Sequence, residues 1–96
     1  MSEMSALDAA NVAWALHRRF PSLEHIIAGD ARASFVYARH VLGGKFKLGE
    51  YSIITDPEYA CLYAIRVLQG NWPAAESIIA TDVHYWRQYQ DFLRLK

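Results

Sequence analysis

The chain has 96 residues and a mass of 11.0 kDa, which leaves room for one hydrophobic core but not for two. With 53% hydrophobic and 21% charged residues, the composition excludes an intrinsically disordered chain. Ten Lys/Arg offset ten Asp/Glu, so attraction to nucleic acid through bulk charge is excluded and a basic surface would have to be local.

Residues 1–19 read as the second half of a helical unit, with Leu16 opposite Leu42 and Leu68 in the alignment that follows. From Phe20 the chain falls without gaps into three rows at a period of 26, the last of 25 residues: FPSLEHIIAGDARASFVYARHVLGGK, FKLGEYSIITDPEYACLYAIRVLQGN and WPAAESIIATDVHYWRQYQDFLRLK. Glu24, Glu50 and Glu76 align, as do Ile27, Ile53 and Ile79, Asp30, Asp56 and Asp82, and Tyr37, Tyr63 and Tyr89. The first two rows share 9 identities and the last two share 6, concentrated where structure demands a particular residue.

Each row predicts a short helix, a tight turn, a longer helix and another turn. In the third row Trp72-Pro73 opens the short helix, because proline loses no bond in the first turn, and Glu76 suits that helix start. Asp82 is the expected N-cap of the longer helix. Asp56-Pro57-Glu58 is the strongest such start, and the pattern predicts a helix over 57–68. Gly70, and Gly43-Gly44 one row earlier, are expected to end these helices in a left-handed cap. A helix of about 8 residues is not stable alone and must be covered by neighbours. The expected architecture is therefore all-α: a single domain over 1–96, an α-solenoid-like stack of about three and a half helix-turn-helix units at 1–19, 20–45, 46–71 and 72–96.

One face of each longer helix is an apolar stripe: Ala33, Ser34, Tyr37, Ala38 and Val41, then Tyr59, Ala60, Tyr63, Ala64 and Val67. The tyrosine hydroxyls are expected to reach a neighbouring unit and the recurring carboxylates are natural partners there. Arg87, Gln88, Gln90 and Asp91 give the last helix the polar outer face of a closing repeat. The opposite faces form a ridge that varies from unit to unit. Its candidate partner-binding residues are Arg32, Arg39, His40, Leu62, Ile65 and Arg66, with Leu62 and Ile65 as an apolar anchor rimmed by charge.

Chemistry-bearing motifs are sparse. His17, His25, His40 and His84 include no i, i+4 pair, and Cys61, the single cysteine, has no partner for a disulfide or a Cys-based metal cluster. Cys61 reads as a small core residue. No P-loop, dinucleotide fingerprint or nucleophile elbow is present, so no enzyme activity, cofactor or metal is expected. No apolar run reaches the roughly 18 residues of a membrane span, and the acidic start MSEMSALDAAN lacks the basic region of a secretory signal. A cytoplasmic chain without membrane contact is expected. Arg18, Arg19, Arg32, Arg39, Lys45 and Lys47 make the N-terminal half the more basic one.

The Trp72-Pro73, Asp56-Pro57, Tyr37-Ala38 and Tyr63-Ala64 pairs, set in a unit with recurring Glu, Ile, Asp and Val-Leu, resemble the short helical repeats of many uncharacterised bacteriophage proteins. The resemblance covers residues 20–96, with Asp30-Ala31 and Asp82-Val83 departing from the Asp-Pro pattern. It implies a phage or prophage origin and a non-enzymatic scaffold, with no family site residues to carry over. Small phage proteins of this kind commonly block a bacterial host protein or complex, as anti-CRISPR and other anti-defence inhibitors do. The expectation is an inhibitor of that class acting in the bacterial cytoplasm. Two alternatives stay open at this point: a nucleic-acid-contacting accessory protein using Arg18, Arg19, Lys45 and Lys47, and a homo-oligomeric structural protein, for instance a homodimer.

Overall fold

The first helix shows how the longer helices start. Ser5 precedes an alanine-rich run, and its Oγ accepts the backbone N–H of Asp8 at 3.1 Å, satisfying one of the amides that a helix start leaves open. The computed structural model describes residues 4–95. Among them it contains helices and turns only, with no strand.

Helix α1 spans Ala6–Ala15. Helix α2 begins as a 3₁₀ turn, Pro21–Leu23, and continues as the α-turn Glu24–Ile27. Helix α3 runs over Ala31–Val36 and widens into a π-type turn at Tyr37–Leu42. Helix α4 spans Lys47–Ile53; α5 covers Pro57–Tyr63 and widens at Ala64–Leu68. Helix α6 joins Pro73–Ala75 to Glu76–Ile79, and α7 spans Val83–Leu95.

The aspartates cap the longer helices. Asp30 accepts the Ala33 N–H at 2.8 Å, Asp56 accepts those of Glu58 and Tyr59 at 2.9 and 3.2 Å, and Asp82 accepts that of His84 at 2.9 Å. At the other ends the chain turns through a left-handed residue at His17, Gly43 and Gln69, with φ of 53°, 65° and 57°. Gln69 therefore takes the cap position expected of Gly70. The Ala64 carbonyl receives the N–H groups of both Gln69 and Gly70, as the Ala38 carbonyl receives those of Gly43 and Gly44, so the reversal falls on the first residue of each pair. A side chain held there costs about 1 kcal/mol relative to glycine, and the closing hydrogen bonds offset it.

Helices α1, α3, α5 and α7 pack on one another in chain order, while the short α2, α4 and α6 bridge between them. The molecule measures 45 × 23 × 18 Å. The core consists of Ala9, Ala10 and Ala13 of α1, the fully buried Ile27, Ile53 and Ile79, and the fully buried Tyr37, Tyr63 and Tyr89. Alanines 38, 60 and 64 are buried beside them and let the helices approach closely.

The closest approach is at Gly49 of α4. A Cβ there would meet the Ser34 Oγ and stand 2.6 Å from the Ser34 Cβ and 2.7 Å from Phe46 Cδ2. Ser34 cannot yield easily, because its buried Oγ donates to the Ile27 carbonyl at 3.0 Å. Gly49→Ala should therefore destabilise the protein by about 2 kcal/mol in urea denaturation, although alanine is the better helix former. Gly44→Ala meets nothing within 4 Å and has no left-handed backbone; it should stay within about 0.5 kcal/mol of the parent.

Candidate functional site

The side chains around the turns are organised by the three core tyrosines. The Tyr37 hydroxyl accepts the Phe20 N–H at 3.1 Å and donates to the Glu24 carboxylate at 2.6 Å. Tyr63 joins the Phe46 N–H to Glu50 at 2.9 and 2.7 Å, and Tyr89 joins the Trp72 N–H to Glu76 at 2.7 and 2.7 Å. The expected reach to a neighbouring unit is corrected here. Each hydroxyl binds the carboxylate 13 residues before it, in its own row, because the turn between the short and the longer helix folds one directly onto the other. Burial, then the bond to the carboxylate, holds the Tyr63 phenol well above its ordinary range. The glutamates are thus committed to the fold and do not form an open acidic row.

That commitment decides which cations stay uncompensated. Arg19 pairs with Glu24 at 2.9 Å. Arg39, Arg66, Lys45 and Lys47 are all exposed, and among the described residues none of them makes an ion pair. Arg39 and Arg66 lie in the last turns of α3 and α5, where the carbonyl ends of the helix dipoles favour positive charge, while Lys45 follows the end of α3 and Lys47 opens α4.

Between these helix ends and α7 lies a groove of about 460 Å³ lined by Arg39, Ile65, Arg66, Gln69 and Phe92. Ile65 is half-buried against the core and, with Phe92, gives the groove its apolar surface alongside two arginines. A small cleft of about 70 Å³ adjoins it, sharing Arg39, Arg66 and Gln69. A further cleft of about 390 Å³ shares Gln69 and continues to Lys45, Lys47, Glu50 and Trp72. Gln69, the left-handed cap of α5, is common to all three.

Three of the six sequence-predicted ridge residues, Arg39, Ile65 and Arg66, meet at the groove. The other three do not. Arg32 is exposed in the first turn of α3, seven residues before Arg39 and so about 10 Å away along the axis. Leu62 is half-buried on α5 and does not line the groove. The His40 ring stacks on Trp14 of α1, with centroids 3.8 Å apart and planes 4° from parallel. Desolvation, helped by the Arg39 charge, lowers the His40 pKa. His40 therefore belongs to the contact between α1 and α3. Sequence reasoning missed Gln69 and Phe92. Phe92 stands opposite Arg66 and His40 in the 26-residue alignment, which was the available signal.

Among the described residues no group of three His, Cys, Asp or Glu side chains is placed to hold a metal ion. The buried Cys61 thiol contacts the Tyr85 carbonyl at 3.4 Å, and desolvation pushes its pKa up to about 11, so it is not a thiolate at neutral pH. No helix among the described residues is long and apolar enough to cross a membrane.

No protein-family model, curated protein or solved structure matches the chain.

Proposed function

We propose that the chain is a non-enzymatic protein–protein interaction module, an α-solenoid-like stack of about three and a half units that binds and blocks a bacterial host protein or complex. The observation that carries this reading is the groove bounded by Arg39 and Arg66 over Ile65 and Phe92, where uncompensated charge surrounds partly exposed apolar surface. The stack is supported by the tyrosine–carboxylate–amide bridge that recurs at Tyr37, Tyr63 and Tyr89, each tying a short helix to the longer one after it. A stack braced in this way is stiff, and a stiff face can occlude a functional surface without chemistry. A phage or prophage origin, with action in the host cytoplasm as an anti-CRISPR or other anti-defence factor, follows from the resemblance of the repeat unit.

The second reading is a nucleic-acid-contacting accessory protein. The cleft that brings Lys45 and Lys47 beside Trp72 favours it, since cations next to an aromatic ring suit a phosphate and a base. Affinity capture of the tagged chain from a nuclease-treated bacterial lysate separates the two. One host protein or complex recovered near one-to-one supports the module; partners recovered only when nuclease is omitted support the second reading. The double charge reversal Arg39→Glu, Arg66→Glu should weaken capture of the host partner by about 100-fold while the helical fold is retained, because both side chains are exposed and each reversal costs only about 1 kcal/mol against the helix dipole. Undiminished capture by that variant would exclude the groove as the interface.

A further inference from the structure

We infer that the part of the partner seated in the groove is a short acidic segment carrying one apolar side chain, an inference that rests on the module reading above. Four cations, Arg39, Arg66, Lys45 and Lys47, ring the surface centred on Gln69 without a carboxylate paired to any of them among the described residues. The planar guanidinium groups of Arg39 and Arg66 match carboxylates, each able to take one in a two-point hydrogen bond. In the same groove Ile65 and Phe92 form the apolar part of the lining, which a purely anionic ligand would leave in water. An apolar residue flanked by Asp or Glu satisfies both features at once. The volume of about 460 Å³ falls in the roughly 300–1,000 Å³ range of sites that enclose a small ligand, which for a peptide means a few residues.

The same surface fits a nucleic-acid backbone less well. Phosphates follow one another at short, regular intervals, and affinity grows with the number of cations that meet them. Here the further cleft offers two lysines beside Glu50, whose carboxylate is fixed in place by the Tyr63 hydroxyl and offsets part of their attraction for any anion. Discrete carboxylates can bind the arginines while the segment bypasses Glu50.

The test is panning of a random 12-residue peptide display library against the immobilised full chain, with parallel panning on Arg39→Ala, Arg66→Ala and Ile65→Ala variants. Recovered sequences should share an apolar residue flanked by Asp or Glu. Their synthetic peptides should bind at least about tenfold more weakly to each arginine variant, and more weakly to Ile65→Ala. A 12-nucleotide oligothymidylate should bind more weakly than the peptides. Basic or neutral consensus sequences, no enrichment, equal binding to the arginine variants, or tighter binding of the oligonucleotide would each overturn the inference. Its failure is distinguishable from failure of the module reading. A host protein that is still captured near one-to-one and lost on charge reversal leaves the module standing with a different segment chemistry.

Discussion

Replacing Tyr63 by phenylalanine should destabilise the protein by about 3 kcal/mol, more than the same change at either of the other two bridging tyrosines. The ring would stay, so the packing of a fully buried side chain is kept and only the hydroxyl is lost. That oxygen has two partners. It accepts the N–H of Phe46, itself buried, and donates to Glu50. Phenylalanine would strand a buried amide and a partly buried carboxylate together, each a penalty of roughly 1–3 kcal/mol when unrelieved by water. Tyr37→Phe should be milder, at about 1.5 kcal/mol, because Glu24 keeps the Arg19 guanidinium at 2.9 Å. Adding Glu50→Gln to the Tyr63→Phe chain should restore about 1 kcal/mol by removing the stranded charge. Urea denaturation of the single and double variants measures all of these. Equal losses at Tyr37 and Tyr63 would mean that Arg19 does not relieve Glu24.

These bridges mark the boundary of what could be read from residues alone. Local signals carried far. Asp30, Asp56 and Asp82 cap helices because the side chain of each reaches an amide two or three residues on, and such short-range geometry is inherent in the sequence. Pro57 and the apolar spacing after it likewise set the span of α5. The partner of each tyrosine was harder to read, because a hydroxyl on a packing stripe can meet either of two neighbours, and only the turn angle decides which. The cap at Gln69 went unread for a similar reason. Glycine is the usual left-handed residue, yet the widened last turn of α5 moved the reversal one position ahead of Gly70. At the candidate site, Arg39, Ile65 and Arg66 were legible as one helix-spaced set. The capture of His40 by Trp14 and the arrival of Phe92 from α7 depend on contacts 26 residues apart, beyond the reach of periodicity within one helix.

The same three tyrosines predict a steep alkaline collapse. Tyr37, Tyr63 and Tyr89 are fully buried, and burial is the leading cause of the upward shift at each. Tyr89 is pushed up to about 12, Tyr63 lies higher, and Tyr37 also moves upward. An unfolded tyrosine ionises near pH 10. Between about pH 10 and 12 the unfolded chain therefore releases protons that the folded chain retains, and stability falls as pH rises. Below pH 10 both states hold these protons, and the stabilisation is fully present. Each tyrosine contributes a slope of at most about 1.4 kcal/mol per pH unit, so the three together remove up to about 4 kcal/mol per unit. Against a stability of roughly 5–10 kcal/mol for a domain of this size, unfolding should be complete within about two or three units above pH 10. Helix loss followed by circular dichroism and tyrosinate formation followed by absorbance near 295 nm should then share one steep transition for at least three of the six tyrosines. The exposed Tyr51 should ionise before it. The Tyr63→Phe chain should show about two-thirds of the parent slope, since one of the three withheld protons is gone. Gradual ionisation of all six near pH 10 with the helices intact would contradict the burial of the bridging hydroxyls.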